Sequence, residues 1–142
     1  MSRIAIDFDG TLVTKNWPDI GEWYPGAIDA MRKLREAGHH PYLYTARTAP
    51  TWPDGSPRGM ADVMRDEDAV RRHLESAGLP WLDLWTGEGK PHWDLLVDDK
   101  ALWFPGRPNS WKKITPVILK RVGDEDSFAA IMAEAGRREE PE

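Results

Sequence analysis

Two pairs of carboxylates stand out by their placement: Asp7 and Asp9 in Asp7-Phe8-Asp9-Gly10-Thr11, and the adjacent Asp98-Asp99. Each pair follows a short apolar run, Ile4-Ala5-Ile6 in the first case and Leu95-Leu96-Val97 in the second. A third run, Tyr42-Leu43-Tyr44, closes on Thr45. Short apolar runs that stop at a polar residue read as buried parallel strands. Neighbouring carboxylates at a strand end repel one another and lose hydration unless a cation holds them. One lysine does not neutralise four of them. A hard dication with oxygen ligands does, and magnesium suits a site that combines few carboxylates with water and phosphate. An Asp-x-Asp-Gly turn also opens calcium loops, but those carry a glutamate at the twelfth position, where this chain has Pro18.

Asp7-x-Asp9-Gly10-Thr11, Thr45, Lys90 and Asp98-Asp99 together resemble, in order and in strand context, the four motifs of the haloacid dehalogenase-like (HAD) superfamily. The match runs from about Ile4 to Lys100. The resemblance implies that Asp7 is a nucleophile that accepts a phosphoryl group. Asp9 would protonate the leaving alcohol and then activate water. Thr45 would hydrogen-bond the phosphate, and Lys90 would screen its charge. Magnesium would lie between Asp98, one oxygen of Asp7 and the backbone carbonyl of Asp9, with Asp99 supporting its waters. Lys100 also adjoins the acidic pair, but Lys90-Pro91 precedes the last motif's strand as in family members. The expected substrate contacts are Gly10, Ala46, Arg47 and Trp52. Arg47 has two readings, a grip on substrate phosphate or carboxylate and a salt bridge that braces the loop. A carboxylate at Asp9 favours phosphate over carbon-halogen chemistry.

These residues need a frame. The spacing predicts the order strand, helix, strand, helix, strand, strand, helix. Ala27, Ile28, Met31 and Leu34 recur at helical spacing between Pro25 and Gly38. Met60, Val63, Val70, Leu74 and Ala77 form a second stripe that ends at Gly78. Leu82 to Trp85 reads as an edge strand, Thr115-Pro116 as a helix start, and Phe128, Ile131, Met132 and Ala135 as a last helix. Alternating strands and helices imply an α/β fold, a Rossmann-like three-layer sandwich with a central parallel sheet and right-handed crossovers. Ligands of such sheets bind beyond the carboxyl ends of the strands. One domain is expected over 1–136, with a flexible tail over 137–142. Only a short flap fits between Val13 and Pro25, and nothing between Thr86 and Lys90, so the chain reads as a capless member. The Pro/Gly-rich stretch Thr48 to Gly59 is the expected lid. Sites of this open kind serve large substrates or are closed by a neighbouring subunit of a homo-oligomer.

Bulk properties narrow the field. The 142 residues carry a net charge of -5 and no cysteine, which excludes disulfides, thiolate metal sites and cysteine nucleophiles. The charge also argues against a protein that wraps long nucleic acid. No apolar run approaches the roughly 20 residues of a membrane span, and no signal peptide precedes the first strand, so a cytoplasmic protein is expected. Most of the eight tryptophans should be core, but Trp17 and Trp52 lie in loops beyond strand ends and could stack on a base or sugar ring. His39 and His40 read as solvated caps, His73 as surface, and His92 as a neighbour of the site. Hydrolysis of a phosphomonoester is the leading expectation, with a sugar phosphate, a nucleotide or a nucleic-acid end as substrate. Phosphotransfer, as in mutases, and a non-catalytic binding protein are the alternatives.

Overall fold

A computed structural model describes residues 1–87 and 89–139. They divide into two compact units, Met1–Ala101 and Leu102–Glu142, where the sequence predicts a single domain over 1–136. The first unit contains strands β1 (Arg3–Ile6), β2 (His40–Leu43), β3 (Asp83–Leu84) and β4 (Leu95–Val97), with helices α1 (Ala27–Glu36) and α2 (Met60–Ser76). The sheet order is β3-β2-β1-β4 and every pairing is parallel. This is the expected α/β, Rossmann-like arrangement. Ile4, Ala5 and Ile6 are 6%, 0% and 2% exposed, so β1 is apolar on both faces and takes a central place.

Two strands differ from expectation for local reasons. β2 starts at His40, two residues early, and includes Pro41. A proline lacks a ladder donor, yet β3 pairs only with Tyr42 and Leu43, so no partner needs one from Pro41. β4 is an edge strand that pairs with β1 alone, and Leu95 and Val97 remain 56% and 42% exposed instead of buried.

Register carries the functional consequence. Ile6 lies level with both Leu43 and Val97. The next backbone bonds, Asp7 N–H to the Val97 carbonyl and Tyr44 N–H to the Ile6 carbonyl, continue the alignment. Asp7, Thr45 and Asp98 therefore leave the sheet at one edge. The chain steps outward from β1 to β2 and β3, then returns to the other side of β1 for β4, which makes the β1/β4 end the switch point of the sheet.

Helix α1 buries Met31, and α2 buries Val70 and Leu74 against the same core. Met60, part of the expected stripe, is 78% exposed in the first turn of α2. His73 is half-buried, not on the surface. Its ring stacks on Trp23 at 5.1 Å and meets Phe8 edge-on, and burial, then the Arg47 charge, depress its pKa. His39 accepts the Ser2 N–H and His40 pairs with Asp83, so neither is a free cap. Trp23 and Trp81 pack on the core, while Trp17, Trp52, Trp103 and Trp111 are exposed, against the expectation of mostly buried tryptophans.

The stretch over 48–59, the expected lid, is pinned by its own backbone hydrogen bonds. Thr51 bridges Pro57, Trp52 N–H donates to the Ser56 carbonyl, and Arg58 N–H donates to the Pro50 carbonyl. The Arg58 guanidinium donates to the carbonyls of Ala46, Arg47 and Ala49 and forms a 2.6 Å ion pair with Asp66 of α2.

The second unit holds α3 (Ser110–Arg121) and α4 (Glu125–Glu139). α3 starts five residues before the predicted Thr115-Pro116, and Pro116 sits inside it. The Thr115 hydroxyl donates to the Trp111 carbonyl within the same helix, and Ser110, which opens it, accepts the Arg107 N–H. α4 runs through 137–139, so those residues are helix and not tail; the remainder of the expected tail, 140–142, lies outside the described residues. No helix among the described residues is long and apolar enough to cross a membrane.

Removing one partner of a buried ion pair leaves the other uncompensated. Asp66→Ala should lower stability by about 3 kcal/mol, toward the low end of the buried-pair range because Arg58 keeps its carbonyl acceptors. Urea unfolding measures this, and a loss below about 1 kcal/mol would mean that the pair behaves as a surface contact.

Candidate active site

A cavity of about 780 Å³ opens at the carboxyl end of the sheet, lined by Asp7, Asp9, Thr45, Ala46, Asp98 and Asp99 among others. The turn after β1 builds its floor. The Phe8 carbonyl accepts the N–H groups of Thr11, Leu12 and Val13, which curls the chain tightly behind Asp7. Phe8 is fully buried and anchors that turn, leaving Asp7 and Asp9 on the cavity side.

Gly10 has φ +85°, and a Cβ there would lie 2.6 Å from the Lys15 side chain and 2.8 Å from the Asp99 carboxylate. Only glycine fits this close approach. Its N–H donates to the Val13 carbonyl, and Gly10, expected to contact substrate, is not among the residues that line the cavity. Gly21 does similar work in the flap. Thr14 N–H meets the Glu22 carbonyl, Tyr24 N–H meets the Leu12 carbonyl, and a side chain at position 21 would collide with the Thr14 backbone.

One oxygen each from Asp7, Asp98 and Asp99 lies within 4.8 Å of the others. Burial, with the hydrogen bond to Asp99 and the charges of Asp98 and Asp99, pushes the Asp7 carboxyl up to about 7, while the Phe8 N–H pulls it down. Asp99 stays well below the usual carboxylate range, chiefly because Lys15 bonds it at 2.9 Å. Three oxygen donors under mutual repulsion fit a hard dication. The side chain of Asp9 is not in this group.

Asp9 instead faces Arg47. The Nε and Nη2 groups donate to its two carboxylate oxygens at 2.7 and 2.6 Å. The same guanidinium donates to the carbonyls of Pro18 and Asp19, and Arg47 is 2% exposed. Of its two readings the brace is correct: a cation committed to Asp9 does not grip a substrate phosphate. Thr45 is 7% exposed and lines the cavity. Its hydroxyl oxygen accepts the Arg47 N–H at 3.2 Å, which leaves the hydroxyl proton for an acceptor in the cavity.

Lys90 does not line the cavity; its ammonium lies over the Trp93 ring, 4.8 Å from the centroid. The lysines that do line it are Lys15 and Lys100. Sequence reasoning missed Lys15, and its distance of eight residues from Asp7, within a flap that folds back on Gly10, was the available signal. His92 does not line the cavity either; its carbonyl accepts from Tyr42 and Arg3. Trp52 borders an adjoining cleft that shares Asp9, Trp17 and Ala46 with the cavity.

No family model and no curated protein matches this chain. Among solved structures it is similar to a conserved protein from Bacteroides thetaiotaomicron, at 24% identity over 84% of this chain and 91% of that chain, with a TM-score of 0.47.

The raised Asp7 carboxyl links stability to pH. Its folded value exceeds the unfolded one, so its contribution is present at low pH and is lost as pH rises through about 7. In chelator, Asp7→Asn removes the repelled charge. Its margin over the parent should be small at about pH 5, where loss of the contribution has only begun above the unfolded value of 3.8, and clearly larger at about pH 8.5. Thermal melts at both values measure this, and an equal offset at both would show that Asp7 carries no such penalty.

Proposed function

We propose that this protein is a magnesium-dependent phosphomonoester phosphatase that works through an aspartyl-phosphate on Asp7. The observation that carries this reading is the cluster of Asp7, Asp98 and Asp99 at the switch point of the sheet, with Asp9 two residues on from the nucleophile and fixed by Arg47. The sequence resemblance, carried by the same aspartates with Thr45, supports it too. Asp7, Asp98 and Asp99 would hold the dication, which when bound screens phosphate charge and favours the ionised Asp7.

The residues divide the chemistry between them. An Asp7 oxygen attacks phosphorus, the bond from phosphorus to the alcohol oxygen breaks, and the alcohol takes the proton that Asp9 carries on a lone pair Arg47 does not use, which leaves Asp9 ionised. Water then attacks the aspartyl-phosphate, gives its proton to Asp9 and releases phosphate and free Asp7. Thr45 donates its hydroxyl proton to a phosphate oxygen. Lys15, exposed at 58% and beside Asp99, supplies the charge screening expected of Lys90.

Arg47 gives Asp9 a fixed plane at the edge of the cavity. Each carboxylate oxygen accepts one guanidinium N–H and retains a second lone pair for proton transfer. Positioned general acid-base help of this kind is worth about 10²–10⁴-fold. Arg47 is thus a positioning residue. Arg47→Lys keeps a charge but loses the fork, so it should lower kcat more than it raises KM.

Purified protein should release phosphate from p-nitrophenyl phosphate with magnesium and not with chelator, and Asp7→Asn should have no turnover. Asp9→Asn can still accept one Arg47 N–H but removes the counter-charge of a buried guanidinium, so it should lose about 3 kcal/mol in urea unfolding and is assayed at a temperature where circular dichroism shows it folded. It should give a burst of phenolate equal to the enzyme present, then a steady rate lower by about 10²–10⁴-fold. Wild-type turnover by pure Asp7→Asn would remove Asp7 as nucleophile. Wild-type steady turnover by Asp9→Asn would remove Asp9 from proton transfer.

A further inference from the structure

The cleft that adjoins the acidic cavity has a volume of about 710 Å³, within the range of small-molecule sites, about 300–1,000 Å³. Two indoles border it. Trp17 is 52% exposed and Trp52 is 40% exposed. Each lies against a guanidinium, Arg47 at 4.7 Å from the Trp17 ring and Arg58 at 4.9 Å from the Trp52 ring. Both arginines are held by buried ion pairs, to Asp9 and to Asp66. A ring backed on one face by a fixed cation and still half exposed offers its other face. Because the backing is rigid, little side-chain freedom is lost when a ligand stacks there.

The charge pattern says what kind of ligand this is. Arg47 and Arg58 have their carboxylate partners, and the remaining wall is small and uncharged, with Ala46, Ala49, Pro53 and Gly55. Such a cleft suits a neutral flat ring. It offers little to a second phosphate, and the chain's net charge of -5 opposes a polyanion. Aromatic stacking supplies sequence-tolerant binding to any base. Asp9, Trp17, Ala46, Ala49 and Thr51 border both the cleft and the acidic cavity, so a molecule reaching Asp7 with its phosphate extends its alcohol portion toward the indoles.

We propose that the cleft bordered by Trp17 and Trp52 binds the ring of the substrate's leaving group, making the substrate a nucleoside monophosphate. This rests on the phosphatase reading above for the reaction, but ring binding can be measured without it.

Adenosine, which has no phosphate, should quench tryptophan fluorescence in chelator, and Trp52→Leu should weaken that binding about tenfold. Adenosine monophosphate and ribose 5-phosphate share the reacting ester and differ by the base. With magnesium, kcat/KM for the nucleotide should exceed that for the sugar phosphate by about tenfold or more, mainly through KM. Trp52→Leu should shrink that ratio toward one. Trp17→Leu also removes the plate against Arg47, so the exposed Trp52 is the decisive variant. Equal kcat/KM for the two substrates, with no adenosine quenching, would overturn the ring site and leave a phosphatase. Adenosine binding that depends on Trp52, in a protein that hydrolyses no phosphomonoester, would overturn the phosphatase reading and keep the ring site.

Discussion

The buried pair between Arg47 and Asp9 ties together three stretches that meet at the carboxyl edge of the sheet. Arg47 comes from the turn after β2, Asp9 from the turn after β1, and the carbonyls of Pro18 and Asp19 from the flap. A guanidinium that is 2% exposed is costly to bury, and the cost is offset only when its donors are met with good geometry. Four of its five N–H groups are met here. The flap, the Asp9 carboxylate and one tryptophan plate consequently take their positions from a single side chain.

Arg58 repeats the device one layer further out. It binds three carbonyls of the turn that carries Arg47, including that of Arg47 itself, and locks to Asp66 on α2. Loop residues at a strand end are ordinarily mobile. Here two buried arginines give the loops the definition that the short strands alone do not supply, and each presents an indole on its outer side.

The four carboxylates divide into two electrostatic classes. Asp9 has its own buried cation. Among the described residues, the side-chain cation at ion-pair distance from Asp7, Asp98 or Asp99 is Lys15, on Asp99, and burial together with the neighbouring carboxylates raises the Asp7 carboxyl to about 7. That division would suit the phosphatase proposed above, whose proton-transfer carboxylate would be kept apart from the carboxylates that would hold a dication. It also explains why Gly10 is required, since the Lys15 side chain and the Asp99 carboxylate close over it.

What the sequence determined by itself is the frame. Period and run length identify β1, α1 and α2, because burial of apolar side chains at fixed spacing is a local property of the chain. The placement of Asp7, Thr45 and Asp98 at strand ends follows from the same runs. Boundaries were less legible: Pro41 is admitted to β2 because its neighbour β3 is short, and Pro116 lies within α3. Charge pairing was only partly legible: a bracing salt bridge was one of two readings of Arg47, and its partner was not. Arg47, Arg58, Lys15 and Lys90 are all cations in loops, and nothing local distinguishes them. Pairs separated by 38 residues, as Arg47 and Asp9 are, form only when the sheet brings its strand ends to one edge. Tertiary structure thus decided that Arg47 braces while Lys90 rests on Trp93 and Lys15 lines the cavity, because the energy of an ion depends on its burial and its partners and not on its neighbours in the chain.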